Sequence, residues 1–483
     1  MLPEMALSRI QPGFSRVAAL LAVALALGST EAAAELRAGA AKTNVTPWLG
    51  VSINGGFQDQ RAASVHDELH VRAIALDDGT TRLAIAVIDT CVLPRSIVDD
   101  AKRRLHGAIG LEPGNVLVSA THTHSGGAAA PIFQSDPDPE YQRFLAVRIA
   151  DAVRQAVGRL EPARVAWGAG AVPEHVFNRR WRMKAGAIVP NPFGRVDSVR
   201  MNPPAGSPDL LEPAGPTDPE LSVVALQSSA GRPIALLANY SLHYVGGVRR
   251  GEISADYFGM FAALIEQRLG AAASDPPFVA VMSNGTSGDV NNVDFRQPRP
   301  NRQPYEQMRH VAERIAGEAL RVYEGLRFTT GVRLGAQSRE IELGVRRPEP
   351  AEVARAREAL RQAGPPPFQT PEAIYAREAV LLEPYTPSVK VVLQTLRIGE
   401  LAIAAVPAEV FAEIGLQLKS RSPYRPTFTI ELANGYHGYL PTAAQHAAGG
   451  YETWRARSSF LEVDAASKIV AVLMELFGSL ARP

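Results

Sequence analysis

The sequence predicts an α/β fold in which mixed β-sheets are covered by helices, and two patterns predict it. Short apolar runs recur along the chain and are typical of strands buried on both faces. They lie at 83–88, 116–118, 234–237, 278–281 and 401–406. Between them, apolar residues recur at helical spacing over 144–160, 255–269 and 305–320. Strand-like runs that alternate with amphipathic helices are typical of sheets with helices packed on their faces.

The first 34 residues have the pattern of a secretory signal peptide. Arg9 and Arg16 precede an apolar run, 17–27, and Ala32 and Ala34 fit an A-x-A cleavage site. The run is short for a membrane span, although an uncleaved anchor is the alternative. We therefore predict a signal peptide at 1–34, a mature hydrolase domain at 35–483, export to the periplasm or the medium, and no stable membrane span once the signal is removed.

Later segments complete the order of elements. The Pro- and Gly-rich stretch 185–219 predicts a long loop, which either walls a substrate cleft or is a plain exposed insertion. The stretch 346–388 holds charged helical segments at 350–363 and 371–382 around a run of prolines, and we predict a surface insertion. The apolar spacing over 465–480 predicts a terminal amphipathic helix.

Composition excludes several classes of protein. The chain has 50 Lys and Arg against 49 Asp and Glu, a formal net charge of +1. With no polybasic run, we expect neither a nucleic-acid partner nor attachment to an anionic surface. Cys91 is the only cysteine, so an intrachain disulfide is impossible. Cys91 is predicted to be a small core residue, with a reactive thiol as the alternative.

Candidate metal ligands follow the predicted strands. His122 and His124 come after the run 116–118, and in an extended segment residues two apart face the same side. Neutral imidazole is the commonest zinc ligand, although such a pair on a solvated strand is the alternative. His243 and Glu409 also follow buried strands, and strand ends converge at one edge of a sheet. Alone, His243 is typical of a loop histidine and Glu409 of the first turn of a helix.

Taken together, the motifs of this chain resemble the N-terminal catalytic domain of the neutral/alkaline non-lysosomal ceramidase family. The resemblance runs from about Arg37 to Met474 and leaves out the C-terminal immunoglobulin-like domain of better-known ceramidases. The motifs that carry it are His122–Gly126, Asn178–Arg179, His243, Ser283–Asn284 with Gly288–Val290, Val406–Glu409, and Asn434–Glu452. The order and spacing of these motifs are specific jointly, whereas any one of them alone is weak.

The resemblance implies a fold with a ceramidase-like catalytic domain and a single Zn²⁺ ion. The implied zinc ligands are His122, His243, Glu409 and Tyr439. Tyr439 is preferred to Tyr436 because Tyr439 and Tyr451 lie twelve residues apart, as the family's ligand tyrosine and substrate-contacting tyrosine do. The implied substrate-facing residues are His124, Arg179 and Tyr451. The alternative for the tyrosines is core packing, and for Arg179 a solvated basic run.

The predicted function is that of an exported zinc-dependent hydrolase of an N-acyl amide linkage in a small-molecule or lipid-like substrate. Two imidazoles and a carboxylate leave zinc an open position, where the pKa of a water ligand falls toward neutrality. This metal-activated water is expected to attack the amide carbonyl. Arg179 and Tyr451 would then stabilise the oxyanion with the metal, and His124 would carry the proton to the leaving amine.

The chain departs from the family at Asn291, which stands where the family has a serine after Gly-Asp-Val. An asparagine cannot act as a nucleophile, so a serine-centred mechanism is not expected. Ser287 is a conceivable replacement, although a hydroxyl that caps a turn is the simpler expectation. Asp289 is expected to orient a ligand histidine or to stabilise a turn. Because the resemblance leaves out the C-terminal domain and 443–450 replaces a more polar family segment, ceramide itself is not the expected substrate.

Three alternatives remain at this stage. The first is a zinc hydrolase of a non-ceramide amide or ester. The second is a non-catalytic zinc-binding surface protein, in which Asn291 marks lost activity. The third is a metal-dependent phosphoesterase built on Asp89, His122, Asp289 and Asn291, which would leave Glu409 and Tyr439 without roles.

Overall fold

A computed structural model describes residues 35–270 and 274–480 of the 483-residue chain. The residues from Glu35 onward form one compact unit. The predicted signal peptide at 1–34 lies outside the described residues, so both it and the anchor alternative stay predictions. Within the described ranges no helix has the length and hydropathy needed to cross a membrane.

The described residues form 23 strands and nine α-helices. The strands are β1 (Arg37–Asn44), β2 (Ser52–Ile53), β3 (Gln60–Arg61), β4 (Ser64–Val65), β5 (His70–Asp77), β6 (Arg82–Ile88), β7 (Val116–Ala120), β8 (Glu161–Ala171), β9 (Phe177–Asn178), β10 (Arg180–Met183), β11 (Arg200–Met201), β12 (Leu210–Pro213), β13 (Glu220–Ser228), β14 (Pro233–Tyr240), β15 (Glu252–Ile253), β16 (Val279–Asn284), β17 (Val290–Asn291), β18 (Leu334–Gly344), β19 (Ser388–Ile398), β20 (Leu401–Ala405), β21 (Glu409–Val410), β22 (Thr427–Ile430) and β23 (Tyr439–Leu440). The helices are α1 (Arg95–Ile109), α2 (Pro139–Gly158), α3 (Asp256–Arg268), α4 (Glu306–Glu324), α5 (Pro350–Ala363), α6 (Pro371–Leu382), α7 (Ala412–Arg421), α8 (Ala443–Ala448) and α9 (Ala465–Leu480).

The larger sheet has eight strands in the order β16-β14-β13-β8-β1-β5-β6-β7. Its central strands pair antiparallel, whereas β14 with β16 and β6 with β7 pair parallel. Each parallel pair is joined through a helix, α3 in one case and α1 in the other, because parallel neighbours need a crossover connection. The sheet curls so that its edge strands β16 and β7 approach each other. The carboxyl ends of β7 and β14 are thereby brought close together.

A second sheet, in the order β18-β19-β20-β22, packs face to face with the first. Leu117 of β7, Val281 of β16 and Ile403 of β20 belong to the shared core between the two sheets. Strands in this position are buried on both faces, which explains their continuous apolar runs. Asn239 at the end of β14 donates through its side-chain amide to the Thr429 carbonyl of β22, 3.1 Å away, and so ties the two sheets together.

Helices cover the outer faces of both sheets. Apolar residues of α1 and α2 pack on β1, β5, β6 and β7, and those of α3 and α4 pack on β13, β14 and β16. The second sheet is covered by α7 and α9. The predicted α/β class is confirmed, as a helix–sheet–sheet–helix arrangement. Of the predicted helices, those at 350–363, 371–382 and 465–480 coincide with α5, α6 and α9.

The two segments of unusual composition differ in structure. Residues 350–382 form the adjacent helices α5 and α6, of which α5 buries only Val353 and Ala356. Residues 185–219 hold only the short strands β11 and β12. Together with the turn before Arg455, these segments line a cavity of about 620 Å³.

Candidate metal centre

Three buried side chains meet where strands of the two sheets end. His122 follows β7, His243 follows β14, and Glu409 follows β20, and each is at most 2% exposed. The two Nε2 atoms lie 3.0 Å apart. Glu409 Oε2 lies 3.4 Å from His122 Nε2 and 3.9 Å from His243 Nε2. The predicted convergence of strand ends therefore brings two imidazoles and a carboxylate to one point.

The outer nitrogen of each ring is held by a backbone carbonyl. His122 Nδ1 lies 2.7 Å from the carbonyl oxygen of Cys91, and His243 Nδ1 lies 3.0 Å from that of Ser287. Each carbonyl can only accept, so each Nδ1 donates, and when the ring is neutral the lone pair of its Nε2 faces the centre. Ligand histidines are commonly oriented in this way.

Glu409 has one satisfied and one unsatisfied oxygen. Its Oε1 accepts from the Tyr436 hydroxyl at 2.9 Å, while the buried Oε2 has no hydrogen-bond partner among the described residues. An unpaired buried carboxylate oxygen beside two nitrogen lone pairs is costly unless a cation joins them. Burial opposes a charge on His122, yet Cys91 and Glu409 raise its pKa well above the usual value. The centre thus favours a positive charge, and its N₂O donor set fits zinc.

The structure corrects the reason for the proximity of His122 and His124. Both lie beyond β7, and His122 has a φ of 77°, so the segment is not the extended strand that the sequence predicts. The left-handed region is sparsely populated by residues other than glycine and costs about 1–3 kcal/mol. A hydrogen bond from His122 N to Thr90 O, 2.9 Å, holds this backbone. The two Nε2 atoms nevertheless lie 3.1 Å apart.

His124 lies on the more open side of the centre. Its ring stacks on Tyr244, with centroids 3.6 Å apart and an interplanar angle of 14°. Gly55 permits this position, because a Cβ atom there would lie 2.4 Å from the His124 ring. Burial, followed by the charges of His122 and Arg179, lowers the pKa of His124 well below its usual value. His124 is therefore neutral near pH 7 and can accept a proton.

Arg179 reaches the same centre and is buried, which excludes the solvated basic run for this residue. Its Nε donates to Glu452 Oε1 at 2.8 Å, and its Nη1 lies 3.3 Å from His243 Nε2. Its Nη2 is buried and has no hydrogen-bond partner among the described residues. The arginine thus presents an unused donor beside the candidate metal ligands.

The tyrosines occupy different places around the centre. Tyr439 pairs with Glu409 through the β21–β23 ladder, and its ring centroid lies 5.4 Å from the guanidinium carbon of Arg179. Tyr451 is partly buried, with its ring 5.7 Å from that of Tyr439. Tyr436, which the sequence comparison set aside, donates directly to Glu409. The predicted ligand role of Tyr439 stays a prediction, and the contact of Tyr436 is an addition to the site.

Glu431 is a site residue that the sequence reading missed. Its Oε1 accepts from the Ser287 hydroxyl at 2.6 Å and its Oε2 from Val410 N at 2.6 Å. Burial raises the pKa of Glu431 to about 8. Ser287 therefore supports the backbone carbonyl that holds His243 instead of capping a turn. The available signal was an acid directly after a buried strand, here β22, the pattern that identified Glu409.

Residues of the phosphoesterase alternative are engaged elsewhere. Asp89 pairs with Arg72 at 2.6 Å, and the Asn291 amide donates to Asn202 at 2.7 Å. The Asp289 carboxylate accepts from the Asn178 side chain and from the backbone at the start of α7, both at 2.8 Å, and so orients no histidine through these bonds. Two potential metal-binding groups occur among the described side chains, and neither contains an aspartate. Their members are His122, His243 and Glu409 in one, and Cys91, His122 and His124 in the other.

Known proteins resemble this chain in sequence and in fold. The family model for neutral/alkaline non-lysosomal ceramidase, N-terminal, matches residues 37–297, more than half of the chain. A neutral ceramidase of Mycobacterium tuberculosis (strain ATCC 25618 / H37Rv) is 26% identical over 256 residues, which span 50% of this chain and 37% of that relative.

The structure of neutral ceramidase from Pseudomonas aeruginosa superimposes with a TM-score of 0.70 at 18% identity, covering 92% of this chain and 74% of that one. A structure described as ceramidase complexed with C2 also gives a TM-score of 0.70, at 17% identity, covering 92% of this chain and 75% of that one. At this level of identity the two structures establish the fold. The family match establishes kinship, and the resemblance that the motifs suggested is confirmed. The chain belongs to the neutral/alkaline non-lysosomal ceramidase family of hydrolases.

Proposed function

We propose that the protein is an exported, zinc-dependent hydrolase of N-acyl amides. The observation that supports it most strongly is the unsatisfied Oε2 of Glu409, buried beside the Nε2 atoms of His122 and His243. These three side chains would hold the metal, with Tyr439 as the fourth ligand. The substrate is a small-molecule or lipid-like acyl amide, and ceramide is one member of that class.

The surrounding residues fit the steps of amide hydrolysis. Bound zinc would supply a Lewis acid that activates water and polarises the scissile carbonyl. Arg179 offers an unused Nη2 donor to the oxygen that becomes negatively charged. The hydroxyl of Tyr451, whose ring lies 5.7 Å from that of Tyr439, would be a second donor. Neutral His124 accepts a proton at Nε2 and passes it to the leaving amine. Before the reaction Arg179 is charged and His124 is neutral, the protonation states that their surroundings favour.

Water is the nucleophile in this proposal. Asn291, at the family's serine position, has its amide nitrogen hydrogen-bonded to Asn202 and its side-chain oxygen to Val293 N. Ser287 is tied to Glu431 behind His243. Asn291 is also the one feature that favours the second candidate, a zinc-binding protein without catalytic activity.

The experiment measures zinc content and hydrolysis in parallel for the chain from Glu35 onward. The substrates are fluorescent N-acyl amides, including ceramide, together with matched esters. We expect about one zinc per chain and turnover of an amide, both lost in His122→Ala and kept in His106→Ala, an exposed histidine of α1. If the protein hydrolysed the esters but none of the amides, the proposed function would change from amidase to esterase. Zinc without turnover would favour the binding protein, and the absence of metal would overturn the site.

A further inference from the structure

A fully buried carboxylate, that of Glu452, lies between two arginines at the edge of the metal centre. Its Oε1 accepts from Arg179 Nε at 2.8 Å, and its Oε2 accepts from Arg180 Nη1 at 2.6 Å. Glu452 and Arg180 are both 0% exposed. Hydrogen bonds between ionised partners are strong and directional, especially away from water. The carboxylate therefore fixes both guanidinium groups.

The two arginines face in different directions. Arg180 donates to the Gln445 side chain at 3.1 Å and to the Gly449 carbonyl at 2.7 Å, and both acceptors belong to α8 or the turn after it. Arg179 instead extends to His243 and keeps Nη2 free. One arginine thus ties Glu452 to the scaffold and the other projects into the site. Together, the two guanidinium groups and the Glu452 carboxylate carry a net charge of +1.

The chain position of Glu452 couples Arg179 to a second substrate-facing residue. Glu452 follows Tyr451 directly, in the single turn Tyr451–Thr453. The Glu452 carbonyl accepts from the Ser459 hydroxyl at 2.8 Å, which holds this turn. Any displacement of Glu452 would move Tyr451 and Arg179 together. Small displacements of oxyanion donors lower the reaction rate strongly, because these donors stabilise the transition state only when they are already correctly placed before the reaction.

We propose that Glu452 is a positioning residue, which orients Arg179 toward the scissile carbonyl while Arg180 compensates the remaining carboxylate charge. Its effect on turnover rests on the proposed hydrolase function, whereas its hold on the Arg179 guanidinium can be measured without turnover. Glu452 touches no reacting atom in this proposal and acts through Arg179.

The first test compares Glu452→Gln with Glu378→Gln. Glu378 is a matched control, because it is also a buried carboxylate between two arginines, Arg457 and Arg377, but it does not bind Arg179. In Glu452→Gln we expect kcat to fall about 10² to 10³-fold, as for loss of an oxyanion donor, with KM and zinc content near wild type. In Glu378→Gln the thermal stability falls and kcat stays. Equal kcat values for Glu452→Gln and the wild type would overturn the proposal.

The second test uses guanidinium ion as a probe, at concentrations too low to unfold the wild type. In Arg179→Gly the ion should raise the melting temperature and restore part of kcat, because Glu452 still offers its carboxylate. In Arg179→Gly/Glu452→Gln both effects should vanish. Arg314→Gly, which removes an exposed partner of Glu174, is the control and should not respond.

These outcomes separate the two proposals. If the wild type hydrolyses no substrate, the hydrolase function fails, and the melting temperature of Arg179→Gly still decides whether Glu452 holds a guanidinium group. If guanidinium stabilises the single and the double variant equally, the positioning role of Glu452 is overturned, whatever the activity of the wild type.

Discussion

The centre is built from two kinds of backbone, and they hold their side chains differently. His122, His243 and Glu409 follow buried strands, and both rings are fixed by hydrogen bonds to carbonyl oxygens. The tyrosines come from the largely irregular segment 432–453 and are held by ring packing, by Glu409 and by Arg179. The difference suggests a division of labour. The strand-end group, with Tyr439 as the fourth ligand, would set metal affinity, and Tyr451 of the irregular segment would set turnover.

The largest expected effect is on metal content, which distinguishes the strand-end group from the irregular segment. In Glu409→Gln, zinc affinity should fall by about 100-fold or more, since an ionised ligand is replaced by a neutral amide. Tyr436→Phe removes only the hydroxyl on Oε1 and should keep about one zinc per chain. Zinc content after dialysis measures both. Retention of zinc in Glu409→Gln would contradict the assigned ligand set.

A smaller loss of affinity is expected one layer behind the ligands. In Glu431→Gln an amide replaces the carboxyl group that accepts from the Ser287 hydroxyl, and zinc affinity should fall about 10- to 100-fold. The reverse outcome, unchanged affinity in a competition titration with a chelator, would show that the strand-end ligands need no such support. Glu342→Gln, on the exposed β18, serves as the control.

At Tyr451 of the irregular segment we expect the opposite result. Tyr451→Phe should keep its zinc, because Tyr451 is not among the predicted ligands, and lose about 10- to 100-fold in kcat through one missing oxyanion donor. Steady-state kinetics and metal analysis on the same preparation test this. A variant that loses zinc together with turnover would remove the distinction between the two groups.

The subtlest prediction concerns how the irregular segment is anchored. Lys102 of α1 donates to the Asn434 side chain at 2.9 Å, and burial lowers the pKa of Lys102 from 10.5 to about 8. Between pH 8 and 10.5 the unfolded chain therefore binds more protons than the folded one, so stability rises with pH. Relative to Lys102→Met, the wild type should gain about 3 kcal/mol across this window. Parallel pH profiles of the two unfolding free energies would refute the shift.

The sequence predicted the convergence of the strand-end side chains because its signal is local. A buried apolar run followed by His or Glu predicts the strand and also places the side chain at the end of that strand. His122, His243 and Glu409 converge as this pattern predicts. The left-handed backbone of His122 could not be predicted, because a bond from His122 N to Thr90 O, distant in sequence, imposes it.

The other side chains depend on contacts between distant segments. Glu452 binds Arg179, 273 residues away in the sequence, and Tyr436 binds Glu409, 27 residues away. No periodic pattern in the sequence predicts such pairs. Several strands were likewise missed, among them β8 and β18, because their exposed or small residues break the apolar run. Sequence reading was thus strongest where secondary structure alone places a side chain.

The most direct test of the central claim is an anomalous diffraction map at the zinc edge. The claim predicts one peak bonded to the Nε2 atoms of His122 and His243 and to Glu409 Oε2, at the usual zinc–ligand distances of about 2.0–2.2 Å. A peak on the other potential group, bonded to the Cys91 thiolate and His124, would contradict it. So would a zinc-saturated crystal without a peak between His243 and Glu409.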